Sequence, residues 1–119
     1  MEKKIVIERL KTEAAHIGTS ETDIFSSDVP ESKFRYVVKV ILMGDGAADR
    51  VVDIYKKKED GTYEKKIPMI HVASTEVLEL GSDNPENPLL VLEGGTNLAG
   101  KVNAGTGISL AVIYWDDER

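Results

Sequence analysis

The segment from Gly95 to Val102 (GTNLAGKV) has the spacing of a phosphate-binding loop, with four residues between two glycines and a lysine after the second. In such loops a Ser or Thr hydroxyl follows the lysine and binds Mg²⁺, but Val102 stands at that position. The loop must also open a helix whose N–H groups hold the phosphates, whereas turn-forming residues 103–107 follow here. Both departures favour a tight turn and a strand over nucleotide binding.

Histidine occurs at two positions, His16 and His71. A zinc site or a catalytic triad needs a histidine with further partners of the right kind. The two histidines could converge on a cupin-like metal site, but no His-x-His pair is present to supply neighbouring ligands. We therefore expect no metal, no cofactor and no catalytic residue, and interpret His71 as a residue of a strand.

Oxygen-bearing side chains in two loops could bind Ca²⁺, which prefers hard oxygen ligands. They are Asp83, Asn84, Glu86 and Asn87 in one loop, and Asp45 and Asp49 in the other. The pattern of an EF-hand loop is absent, and Asp and Asn are common in turns for backbone reasons. Calcium binding is therefore kept as an alternative rather than as the main hypothesis.

Four aromatic residues, Tyr36, Tyr55, Tyr114 and Trp115, could form a platform on which sugars stack. However, Tyr114 and Trp115 are consecutive, and consecutive residues of a strand point to opposite faces. The alternative function is thus a ligand-binding β-sandwich module for carbohydrate or calcium, using the loops at residues 81–88 and 103–107.

The composition is that of one folded domain, with 119 residues, 41% hydrophobic and 30% charged. The absence of cysteine excludes disulfides, thiolate metal sites and cysteine nucleophiles. The net charge is -6, and acidic residues interrupt the lysine runs at 56–58 and 65–66, so we expect no nucleic-acid partner. Glutamine is also absent while Lys and Glu are plentiful, a pattern typical of thermophiles.

The N-terminal segment and the hydropathy of the chain are used to predict where in the cell the protein is found. The first apolar run, Ile5 to Ile7, is shorter than the roughly 7–15 residues of a signal peptide. No segment approaches the roughly 18 apolar residues of a membrane span. We expect a cytoplasmic or virion-associated protein that is not secreted by a signal peptide and has no membrane partner.

Short apolar runs separated by turn-forming residues predict an all-β fold. Strands are expected at residues 34–43, 50–56, 63–72, 76–80, 89–92, 97–102 and 108–115, and before them at about 3–10, 13–18 and 21–25. Pro68 cannot donate to a ladder, so its strand is expected at an edge or with a bulge. The prediction is a single antiparallel β-sandwich, jelly-roll-like, of about 8–10 short strands over residues 1–119. Residues 1–12 are expected as an N-terminal arm or an edge strand.

Two of the predicted strands are apolar on both faces. In residues 108–115 both alternating sets are apolar, and residues 34–43 carry large apolar groups on the second face as well. An antiparallel sheet with one wet face should alternate cleanly, so something covers the outer face. Three covers are considered: the N-terminal segment or a loop of the same chain, a second subunit, and a ligand. If a second subunit covers this face, the residues expected at the interface are Val37, Ile41, Met43, Ala111, Ile113 and Trp115.

The order of these features resembles small β-sandwich virion proteins of tailed viruses and proviruses, of the decoration or tail-accessory kind. The resemblance runs from about Ala14 to Tyr114 and rests on the Pro-containing turn, the long apolar strand and the charged hairpin. It also includes the segment Leu90 to Leu98 (LVLEGGTNL) and the alternating strand Ile108 to Trp115. It implies a non-catalytic structural or interaction protein of viral or proviral origin. It further implies a homo-oligomer, with a trimer favoured, that sits on a larger particle or capsid.

Overall fold

The computed structural model describes residues 8–118, which form nine β-strands. The strands are β1 (Lys11–Ile17), β2 (Thr22–Asp23), β3 (Lys33–Met43), β4 (Arg50–Lys57), β5 (Tyr63–Val72), β6 (Val77–Gly81), β7 (Leu90–Leu92), β8 (Asn97–Val102) and β9 (Ile108–Glu118). The predicted all-β fold is confirmed. Of the strand predicted at 3–10, residues 3–7 lie outside the described part, and residues 8–10 belong to no strand. Within residues 8–118, no helix has the length and apolar character needed to cross a bilayer.

The strands form two antiparallel sheets, which confirms the predicted β-sandwich. Sheet A has the order β1-β9-β3-β6, with β7 also paired to β3, and sheet B has the order β2-β8-β4-β5. The pairing is nested, because β1 pairs with β9, β2 with β8, β3 with β6 and β7, and β4 with β5. This winding of two sheets is that of a jelly roll.

The hydrophobic core lies between the two sheets. Alternate residues of the long strands point inward, so that Val40 and Leu42 of β3 meet Leu110 and Val112 of β9, and all four are fully buried. Each such side chain contributes roughly 1.5–3 kcal/mol when it is removed from water. Because side chains alternate along a strand, the residues that face the core determine which residues lie on the outer surface of each sheet.

A β-bulge in β3 changes the faces that simple alternation predicts. The pairing with β9 shifts register between Val37 and Lys39. Because the bulge adds one residue, Val37 points inward with no exposure, while Val38 points outward beside Trp115. The prediction that Val37 lies on the outer face and contributes to an interface is therefore wrong.

Strand β5 is the last strand of sheet B, and its pairing with β4 contains two register shifts. Both expectations for the strand that contains Pro68, an edge position and a bulge, are confirmed. Met69, which follows Pro68, has φ 53°, in the left-handed region that non-glycine residues seldom adopt.

Candidate functional site

The outer face of sheet A carries an apolar surface that we call the central patch. Its members are Ala14 of β1, Ala111 and Ile113 of β9, Ile41 and Met43 of β3, and Val77 of β6. Directly opposed residues share a face, and the register joins Ala14 to Ala111, Ala111 to Ile41, and Met43 to Val77. Val77 is 64% exposed, whereas Ile41, Met43 and Ile113 are half-buried. The predicted interface residues Ile41, Met43, Ala111 and Ile113 thus lie side by side.

Lys39 lies on the same face, opposite Ile113, and its charge is neutralised at the rim. The ammonium group donates to Asp83 and lies 3.6 Å from the carboxylate of Glu79. The hydrogen bond from Lys39 to Asp83 raises the pKa of the lysine, against the lowering effect of desolvation. The lysine therefore remains charged but is paired with two carboxylates, and the three groups together carry one net negative charge.

The end of the outer face at Trp115 is covered by the chain itself. Leu10 and Tyr36 pack against the cluster of Val38 and Trp115, and the indole N–H of Trp115 donates to the carbonyl of Pro85 at 3.1 Å. The guanidinium of Arg9 lies 5.6 Å from the indole centroid. Trp115 is only 6% exposed. Part of the predicted cover is thus intramolecular, and Trp115 has little surface left for a second subunit.

The outer face of sheet B has the opposite character. Its charged side chains are Asp23, Asp53, Lys57, Lys65 and Lys101. Lys57 donates to Asp23 at 3.0 Å, and Lys65 lies 3.6 Å from Asp53 and over the ring of Tyr55. The two sides of the sandwich therefore differ, because one outer face is charged and the other is apolar at its centre.

The two histidines lie on different sheets, His16 on β1 and His71 on β5. The ring of His16 contacts the hydroxyl of Ser109 at 3.2 Å and the carbonyl of Thr106 at 3.0 Å. Because a carbonyl only accepts, the nitrogen beside Thr106 carries a proton. In the described part of the chain, no group of three or more His, Asp and Glu side chains is placed to hold a metal ion.

The segment with the phosphate-loop spacing forms a turn and β8, not the start of a helix. Gly95 has φ 83° in the turn. Gly100 faces inward, where a Cβ atom would collide with the side chain of Ile17. The predicted turn and strand are confirmed, and Gly95 suits the turn while Gly100 suits the packing between β1 and β8.

Asp45, a predicted Ca²⁺ ligand, stabilises its own loop. Its carboxylate accepts from the N–H groups of Ala47 and Ala48 at 2.8 and 3.2 Å, and from Arg50 at 2.7 Å. These hydrogen bonds lower the pKa of Asp45 to about 2. The neighbouring Asp49 accepts from the N–H of Ser74 at 3.2 Å. A cation at this loop would have to displace Arg50.

The second predicted Ca²⁺ loop also uses its oxygens within the chain. Asp83 accepts from Lys39, and the side-chain oxygen of Asn84 accepts from the N–H of Glu86 at 3.1 Å. The hydrogen bond from Lys39 lowers the pKa of Asp83. Neither loop therefore brings its carboxylates together around a point at which a cation could bind.

The four aromatic residues do not make a common platform. Tyr36 and Trp115 stack with centroids 4.3 Å apart on the outer face of sheet A, under the cover described above. Tyr114 points to the other face and meets Phe25 edge-on at 4.9 Å. Tyr55 is 7% exposed and contacts the edge of Tyr63. The four rings therefore lie in separate surroundings and share no stacking surface.

An ion pair between Arg35 and Asp116 is a feature that the sequence did not reveal. The guanidinium donates to both carboxylate oxygens at 2.7 and 2.9 Å and lies 4.5 Å from the ring centroids of both Phe25 and Tyr114. Burial alone would lower the pKa of Arg35, but the hydrogen bond and charge of Asp116 raise it. The partners are distant in the sequence, so no local motif marks them.

No protein-family model matches the chain, and no curated protein does. Among solved structures, the Drosophila NLP-core, described with pentamer formation and histone binding, is 13% identical over 90% of this chain and 98% of its own, with TM-score 0.51. A chain of the T13 IBDV viral particle is 9% identical over 92% of this chain and 31% of its own, with TM-score 0.49. A pentameric capsid protein from metagenomic phage sequences is 15% identical over 82% and 59%, with TM-score 0.38. At these identities the likeness to the NLP-core shows a shared fold alone.

Proposed function

We propose that this protein is a non-catalytic structural protein that associates with copies of itself through the central patch. The observation that carries the proposal is the contrast between the two outer faces, one charged and one apolar at its centre. An apolar patch rimmed by polar residues is typical of a protein–protein interaction site. The carboxylates of Asp45, Asp49 and Asp83 accept hydrogen bonds within the chain, which favours a structural role over calcium binding.

A second copy is the occupant that the charge distribution favours. The chain has net charge -6, so two copies repel each other across most of their surfaces. The members of the central patch are uncharged, and Lys39, Glu79 and Asp83 beside it sum to one net negative charge. An exposed carboxylate on this face is that of Glu79, which lies opposite Ile41 at the edge of the uncharged set.

The shape of the patch suits the approach of another flat surface. Two small residues, Ala14 and Ala111, lie next to each other in the register and are flanked by Ile41. Packed sheets lie about 10 Å apart, which small central side chains permit. Ile41, Met43 and Ile113 are already half-buried, so completing their burial would add on the order of 1 kcal/mol each.

The wider assembly is proposed from the sequence resemblance to virion proteins. That resemblance implies a closed homo-oligomer, with a trimer favoured, on a larger viral or proviral particle. The NLP-core, which shares the fold, is described as a pentamer. A trimeric and a pentameric ring are therefore both considered for this jelly roll, and the native mass distinguishes a trimer from a pentamer.

The test places a carboxylate in the central patch. We expect Ile41→Asp and Ile113→Asp each to lower the native mass to that of a single chain, because an added carboxylate must be removed from water when the interface forms. The matched control is Val51→Asp, since Val51 is a half-buried strand residue on the outer face of sheet B. Native mass comes from light scattering after size exclusion, and circular dichroism checks the β-structure. Folded patch variants with the mass of the unmodified protein would refute the proposal.

A further inference from the structure

Strand β5 forms one open edge of sheet B and is ten residues long. An open edge presents unpaired N–H and C=O groups, which can pair with a strand of another chain. The hazard is greatest at residues 67–72 (IPMIHV), which contain no acidic or lysine side chain. Short, uncharged segments of high β-propensity form cross-β stacks when they are exposed and contain no proline, and Pro68 is the one residue here that departs from this pattern.

The register of β5 against β4 shows that this edge is not a regular ladder. Val52 pairs with Ile70 and Ile54 pairs with Ile67, so β5 has one extra residue opposite Asp53. A second shift follows directly, because Tyr55 pairs with Lys65. Bulges of this kind bend and twist a strand. Two of them in succession prevent β5 from offering a straight edge.

Pro68 and Met69 remove hydrogen-bond donors at the first bulge. Pro68 has no N–H group. Met69 adopts φ 53°, and its N–H donates to the Oδ1 atom of Asp53 at 2.8 Å. The other oxygen of Asp53 lies 3.6 Å from the ammonium of Lys65. The carboxylate of Asp53 therefore holds the strained residue in place and turns its N–H back toward β4.

The side chain of Met69 makes little contact that would explain the strain, since it is 68% exposed. Backbone strain persists only where the surroundings impose it, and it often marks a functional feature. Here the feature is the shape of the edge. We propose that Pro68 and Met69, fixed by Asp53, form an edge guard that prevents a second copy from adding a strand to β5.

The edge guard acts independently of the central patch. Variants without the edge guard should have a higher native mass because strands add to β5. Variants without the central patch should have a lower native mass. The two proposals can therefore be refuted separately. The edge guard also explains how a protein that self-associates through the outer face of sheet A avoids the repeated addition of further chains along β5. Heterologous pairing that does not close produces fibres.

The direct test removes the first bulge by combining Pro68→Val with deletion of Met69, while the second bulge stays in place. Residue 68 would then stand opposite Asp53, between the existing pairs Val52–Ile70 and Ile54–Ile67. We expect a shift to species of higher mass than the unmodified protein and a gain in thioflavin T fluorescence on incubation. A folded variant whose mass and fluorescence stay unchanged would overturn the proposal.

A milder variant decides the question if the shortened chain does not fold. Asp53→Ala leaves the length of β5 unchanged but frees the N–H of Met69. The matched control is Asp49→Ala, because Asp49 is also a carboxylate that accepts from a backbone N–H, at 3.2 Å from Ser74. We expect the high-mass species to increase for Asp53→Ala and not for Asp49→Ala. Equal behaviour of the two variants would contradict the edge guard.

Discussion

The pair of Arg35 and Asp116 shows how single residues stabilise one end of the sandwich. The two side chains are 11% and 10% exposed and are joined by two hydrogen bonds. The aromatic rings of Phe25 and Tyr114 lie at 4.5 Å from the guanidinium and exclude water from it. Paired charges of this kind contribute little over an apolar replacement, but either partner is costly to leave alone.

We therefore expect Arg35→Met to lower the free energy of unfolding by about 3 kcal/mol, because Asp116 loses its partner in a largely buried position. The double variant Arg35→Met, Asp116→Leu should recover most of that loss. Urea unfolding at one fixed protein concentration measures both. A cost for Arg35→Met below about 1 kcal/mol would mean that the pair behaves as a solvent-exposed one.

At the residue level the sequence allowed some predictions and not others. The turn and strand at residues 95–102 followed from the residue after Lys101 and from the turn beyond it, because both are local features. The contact of Arg35 with Asp116 could not be predicted, since it depends on β3 and β9 becoming neighbours. The roles of Asp45 and Asp83 likewise depend on where Arg50 and Lys39 point in the folded chain.

At the level of elements, alternation predicted the strands well because each inward set must be apolar. The expected strand at 97–102 has the observed bounds, and β9 continues three residues beyond the expected Trp115. The bulge between Val37 and Lys39 was not predicted, because no proline or glycine marks it. Pro68 did mark the bulge in β5, since proline cannot join a ladder.

The inward position of Val37 can be tested with a matched pair of valines. Val37→Ala should lower the free energy of unfolding by about 2 kcal/mol, because a buried side chain loses methyl groups and leaves a cavity. Val51→Ala makes the same chemical change at a half-buried position on the outer face of sheet B. We expect its cost to be less than half as large. Equal costs in urea unfolding would contradict the face assigned to Val37.

At the level of the whole molecule, the two outer faces of the sandwich differ in chemical character. Sheet B carries paired charges outward and ends in a guarded edge, while sheet A presents the central patch. Two-sided apolar strands indicated a covered face from the sequence, but not which part of the cover is internal. The structure assigns the cover of Trp115 to Leu10 and Pro85, and leaves the central patch as the proposed contact with a second copy.

The native mass of the unmodified protein tests self-association most directly. One chain has a mass of 13.1 kDa. We expect light scattering after size exclusion to give a single closed species at a whole multiple of that mass, with no change on dilution across the micromolar range. A trimer would agree with the resemblance to virion proteins, and a pentamer would still agree with association through the patch. A mass of 13.1 kDa at every concentration would contradict self-association through the central patch.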